Sequence, residues 1–301
     1  MAQESIHNGI RVFSLASTNG SVRADIVPEL GGTVSSLILR GPDSQPRECL
    51  HRCNWFWDPR TEQTRGGIPL LFPICGRLLK NNVPGVYHIG NNPFVLPIHG
   101  FAMRLPWEVV ESSKPDALRL RLIDSAVTRA MYPFQFKLEI FSTLTDAACS
   151  CHLTVTNTGS EPMPYYAGFH PFFATPPVGA GKEQTTFAVH PRSLHLCNET
   201  KTDVVGSAPP PAFPMSVAND GMNGLLLEMG EDHESRICFP DGFEIRQTAS
   251  PIFRYRQFYT LPGESFFCDE PWMAPPGSMN RPGAARVLQP GQSETGMFQI
   301  S

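Results

Sequence analysis

Short runs in which apolar and polar residues alternate recur along this chain, and each is cut off by a cluster of turn-forming residues. SVRADIVP, TVSSLILR, ALRLRLID, FKLEIFSTL, SCHLTVTNT, FAVHP, RICF and FEIRQTA are separated by GPDSQP, TNTGSEPMP, FPDGFE and LPGES. A two-residue period places successive side chains on opposite faces, so each run reads as a strand with one face on a core. Many short strands at close spacing specify an all-β sandwich or barrel. The one helical signal is DSAVTRAMYP (124–133), with Asp124 or Ser125 as cap and Pro133 as stop. The proline-rich stretch VVGSAPPPAFP (204–214) reads as a long surface loop, not a domain linker. The expectation is one domain over residues 1–301.

Composition narrows the partners. The 30 prolines, about twice the usual share, and 25 glycines fit a turn-rich fold with few helices. Net charge is −4, and no basic run interleaves with aromatics, which argues against nucleic acid and anionic membranes as partners. No stretch reaches the roughly 18 apolar residues of a spanning helix. The N-terminus MAQESIHNGI has no apolar core of a secretory signal, so a cytoplasmic protein is expected. The eight cysteines then read as reduced thiols. Cys49, His51 and Cys53 lack a second ligand pair, so no metal is expected. A monomer and a homodimer both remain open.

Four segments depart from sandwich patterning. RGGIPLLFPICGRLLKNN (65–82) mixes Gly, Pro and apolar residues around Arg77, which is either a rim charge or a donor fork aimed into a pocket. LPIHGFAMRLPWEV (96–109) sets His99 before a glycine. GFHPFF (168–173) walls His170 with aromatic rings. Each histidine, read alone, fits a satisfied core residue as well as a functional one. FFCDEPW (266–272) carries adjacent carboxylates. On a strand Asp269 and Glu270 face opposite ways, one to solvent and one inward, and an inward carboxylate needs a partner or a function.

In this order these segments resemble the aldose 1-epimerase, or galactose mutarotase-like, family. ADIVPELGGTVSSL, GGIPLLFPICGRLLKN, HGF, HPFF, CDEPW and LQPGQS are similar to its successive motifs. The resemblance implies a twisted antiparallel supersandwich with a groove on one face. It implies that His170 is the general acid and Glu270 the general base. His99, Arg77 and, more loosely, Asp220 resemble its sugar-binding residues. HGFAMR departs from the family's H-G-F-A-R, since Met103 stands in the arginine's place and Arg104 is shifted by one, to the other face of a strand. RGGIP, with Arg65, resembles the hexose-6-phosphate branch, whereas GRLLKN resembles the free-sugar branch.

The implied reaction interconverts the α and β anomers of a hexose. A base takes the C1 hydroxyl proton, an acid protonates the ring oxygen, and the opened aldehyde rotates and recloses. No cofactor is needed. Acid and base are expected on opposite sides of the hemiacetal, with Trp107 or Tyr259 stacked on the pyranose. The alternatives are a hexose-6-phosphate 1-epimerase, with Arg65 and Lys80 or Arg104 on the phosphate, and a sugar-binding protein without turnover.

Overall fold

The computed structural model describes residues 1–58, 60, 61 and 66–301. Its strands form three large sheets and pair antiparallel. The runs seen in the sequence become strands Arg23–Val27, Thr33–Arg40, Ala117–Ile123, Phe136–Leu144, Cys149–Asn157, Thr186–Val189, Glu234–Cys238 and Glu244–Ala249. Phe136–Leu144 and Cys149–Asn157 alternate buried and half-buried residues along their whole length, the pattern of a sheet with one face on a core.

The long nine-stranded sheet centres on these two strands and on Ser293–Ile300. It packs against an eight-stranded sheet that runs through Val204–Ala208, Pro191–Cys197, Leu226–Met229, Tyr255–Tyr259, Phe266–Trp272 and Gly168–Phe169 to Leu70–Leu71. Phe172–Ala174 pairs beside Phe266–Trp272 as well. A five-stranded N-terminal sheet joins the second sheet through the bridges Val34–Ile68, Leu50–Phe173 and Arg52–Gly66. One contiguous core runs from Phe13 to Ile300, and the rings of Phe72, Phe101, Tyr132 and Phe136 pack together within it.

The helix covers Ala126–Met131. Ser125 is its cap, closing a capping box with Thr128, while Asp124 instead accepts from the Phe136 amide. Val204–Ala208, expected as loop, is a strand: it adds to Pro191–Cys197 as the sheet's edge, and the loop begins only at the prolines that follow. Proline cannot donate to a ladder, so the prolines end the strand and not the whole segment.

Candidate active site

Strand Phe266–Trp272 lies inside the eight-stranded sheet, between Tyr255–Tyr259 and the segment around His170. Gly168 pairs with Trp272 and Phe172 with Cys268. The same register carries His170 opposite Glu270. Prolines follow both residues, Pro171 and Pro271, and neither can donate across the ladder. The two strands therefore part at this step, and the His170 amide donates to the Pro69 carbonyl at 2.9 Å instead. His170 and Glu270 project from this break onto one face, with Nε2 3.4 Å from Oε1.

Both groups are buried, His170 at 4% exposure and Glu270 at 1%. The imidazole stacks flat on Phe172, 4.6 Å between ring centres. Its Nδ1 has no hydrogen-bond partner among the described residues. Burial pushes the His170 pKa down to about 3. Burial lifts Glu270 well above the usual carboxylate range; the Trp272 indole N–H, donating to Oε2 at 3.1 Å, pulls it back. The expectation placed these two residues on opposite sides of a bound sugar; in the structure they sit side by side, because one strand register sets both.

His99 meets His170 edge-on at 5.2 Å. Its backbone is left-handed, φ 62°, and is held by Gly76: the His99 amide donates to the Gly76 carbonyl at 2.8 Å, and the Gly76 amide donates to Nδ1 at 3.0 Å. An Nδ1 that accepts leaves the neutral ring's proton on Nε2. Burial holds this histidine well below its ordinary pKa, so it is a neutral donor. Gly76 needs its missing side chain, because a Cβ would press on Pro276 and Trp272.

These residues line one cleft of about 740 Å³, together with Arg77, Gln257, Tyr259, Lys201, Glu199 and Glu264. Arg77 is exposed at the rim. Gln257 pairs in register with Glu270, and Gln257 and Tyr259, two residues apart on one strand, both reach the cleft. A Q-x-Y spacing on a strand is the sequence signal for these two residues. Lys201 and the Glu199–Thr200 pair arrive from a turn that no local pattern marks.

Four expectations need correction. Asp220 does not line the cleft: it is exposed on a short 3₁₀ turn, Asp220–Met222, at an adjoining cavity of about 230 Å³ that shares Asn223 and Leu261 with the cleft. Trp107 is buried elsewhere and donates to the Ala102 carbonyl, whereas Tyr259 does reach the cleft. Arg104 donates to the Gly100 carbonyl at 2.6 Å, and neither it nor Lys80 lines the cleft. Asp269 is not solvated: every residue of Phe266–Trp272 is buried, so its acids face two interiors. Arg65 lies outside the described residues.

The Cys49–His51–Cys53 stretch is split: Cys49 packs in the core while Cys53 opens onto the cleft. Among the described residues, no group of three or more acidic, Cys or His side chains is placed to hold a metal. No helix among them is long and apolar enough to cross a membrane.

A sequence model of the aldose 1-epimerase family matches residues 14–208. The chain belongs to the aldose 1-epimerase family. The protein LacX from Lactococcus lactis subsp. lactis is 28% identical over 152 residues, 49% of this chain and 50% of the relative. YphB, named as uncharacterized in Escherichia coli strain K12, is 29% identical over 52% of this chain and 57% of its own. The chain thus spans about half the length of the curated relatives it matches. In fold, a galactose mutarotase-like protein from Clostridium acetobutylicum superposes with a TM-score of 0.84 at 17% identity, over 100% of this chain and 98% of the other. The Slr1438 protein from Synechocystis sp. PCC 6803 gives 0.81 at 25% identity, over 96% and 94%.

Proposed function

We propose that this member of the family is an aldose 1-epimerase acting on a free hexose, with His170 and Glu270 as a proton-sharing pair. The observation that carries the reading is the juxtaposition of two buried titratable groups, 3.4 Å apart, on the wall of an open cleft. A buried acid beside a buried base is costly as structure and useful as chemistry.

The pair needs one proton. In ring opening, the Glu270 carboxylate takes the O1 proton while the His170 imidazolium gives its own to O5. The C1–O5 bond breaks and the C1–O1 double bond forms. Glu270 is left protonated and His170 neutral. After rotation about C1–C2, O5 attacks the other face of the aldehyde. His170 takes the O5 proton back and Glu270 returns its own to O1. O1 and O5 both hang on C1, so neighbouring groups reach them from one edge, and opposite sides are not required.

Burial disfavours both charges, so the surroundings favour the neutral form of the pair, the one complementary to the open-chain aldose. Sugar oxygens entering the cleft partner the charged form and narrow the gap. His99 Nε2–H and the Arg77 guanidinium supply hydroxyl donors. Tyr259 offers a ring face to the pyranose.

The cleft's charges favour a neutral sugar. Arg77 and Lys201 are set against Glu199 and Glu264, so the described residues make no cationic cradle for a phosphate. The test is polarimetry on freshly dissolved α-D-glucose and α-D-galactose. His170→Ala should lower kcat by roughly 10²–10⁴-fold, the usual worth of a positioned acid–base group, and Glu270→Gln should do the same. Either variant within about twofold of the wild type removes that residue from the mechanism.

A further inference from the structure

Behind Glu270, on the opposite face of the same strand, Asp269 is completely buried. Its Oδ2 accepts from three donors: the Gln247 amide at 2.7 Å, the Arg256 guanidinium at 3.3 Å and the Ser235 hydroxyl. Arg256 is equally buried and donates a second bond, 2.6 Å, to the His233 carbonyl. Ser235 and Gln247 belong to Glu234–Cys238 and Glu244–Ala249, strands of the other sheet. Asp269 and Arg256 belong to the sheet that carries the cleft.

A buried ion pair is rarely retained for stability, since well-packed apolar residues serve as well. This one is not even fully satisfied: Asp269 Oδ1, Arg256 Nε and Gln247 Oε1 have no hydrogen-bond partner among the described residues. Its position offers a reason. It is the polar connection between the sheets directly under the strand that presents Glu270.

We propose that Asp269 is a positioning residue: it ties strand Phe266–Trp272 to the opposite sheet behind Glu270 and holds a fixed negative charge against that carboxyl. The proposal rests on the reading of His170 and Glu270 as the reacting pair. Burial lifts the Asp269 pKa above its ordinary value, while the Arg256 guanidinium and the Ser235 and Gln247 donors pull it back toward the carboxylate form. A negative charge one residue away disfavours a second one on Glu270, which keeps a proton on the pair. Among the described residues, the other titratable groups facing Glu270 are His170, His99, Tyr259, Cys75 and Cys268, with Arg77, Lys201, Glu199 and Glu264 around the cleft. Beyond Asp269 stand Arg256 and, across it, His233 and Asp232.

The experiment follows the ¹³Cδ signal of Glu270 against pH, without sugar, in protein labelled with ¹³C-glutamate and assigned by Glu270→Gln. Asp269→Asn should move the titration to lower pH. If that variant does not fold, the double variant Asp269→Asn with Arg256→Met removes both charges and should show the same direction. Ser235→Ala removes a bond and no charge, so it should leave the titration in place while lowering kcat by several-fold with KM unchanged. A Glu270 titration unmoved in the Asp269 variants overturns the proposal. So does an equal shift in Ser235→Ala, or a Ser235→Ala variant with wild-type kcat. A wild-type chain inactive on every hexose, with the Asp269 shift present, sinks the reaction and leaves the electrostatic coupling standing.

Discussion

Among the described residues the Trp272 indole is the one hydrogen-bond donor on the Glu270 carboxylate, and Trp272→Phe removes that bond while keeping an aromatic ring in the cleft wall. A hydrogen bond to a charged group is worth about 1.5–3 kcal/mol. At 3.1 Å this bond is longer than a good charge-assisted one, so the low end applies, about 1.5 kcal/mol. The bond favours the tautomer with the proton on His170, the form that opens the ring. Losing it should shrink that tautomer about tenfold. The plateau of kcat/KM falls by the same factor. The sign on the pH axis follows. Glu270 holds its proton more tightly in the variant, so the basic limb, where the pair loses its shared proton, moves to higher pH. Above that limb both proteins depend only on His170 regaining a proton beside an ionised Glu270, and their rates converge. The assay is background-corrected polarimetry from pH 5 to 10. A rate lowered evenly at every pH, with the basic limb unmoved, would refute the role given to this bond.

Two further outcomes bear on substrate binding. Asp220→Ala should leave kcat and KM within about twofold of the wild type, because Asp220 opens onto the adjoining cavity and not onto the cleft itself; a tenfold loss in kcat/KM would put it back in the site. Arg65→Ala should change glucose and glucose 6-phosphate alike or neither, whereas a wild-type preference of tenfold or more for the phosphate, lost in the variant, would move the assignment to the sugar-phosphate reaction.

Most strands were legible because a two-residue period survives wherever one face meets solvent. Phe136–Leu144 shows this along its whole length. The period fails where both faces are covered. Phe266–Trp272 begins with three apolar residues in a row, and that run is the mark of a strand buried on both sides. Read so, FFC before Asp269 already placed both acids in interiors. His170 and Glu270 were visible as types in motifs, but their contact depends on pairing register across about a hundred residues, which no local pattern carries. Asp220 lies off the cleft for the opposite reason. An acid in a turn-rich stretch has no periodicity to aim it, and the 3₁₀ turn presents it to solvent.

The site should also cost stability. Burial raises Glu270 above its unfolded pKa, so its contribution to folding is fully present below that unfolded value and is lost as pH rises through the native one. Glu270→Gln keeps the shape and an acceptor for the Trp272 N–H, and it never ionises. Its melting temperature should therefore exceed that of the wild type at pH 8, with the difference shrinking as pH falls toward 4.5. His170 works in the other direction. Its pKa is depressed, so its stabilisation is present above pH 6.5 and is lost as pH falls toward about 3. Both proteins share that acid-side loss, and it largely cancels in their difference. Thermal denaturation of the two proteins at pH 5 and pH 8 measures the contrast. A glutamine variant less stable than the wild type at pH 8 would mean that the Glu270 carboxylate is held by stabilising partners in the resting protein. The buried, poorly partnered base on which the proposed chemistry depends would then be absent.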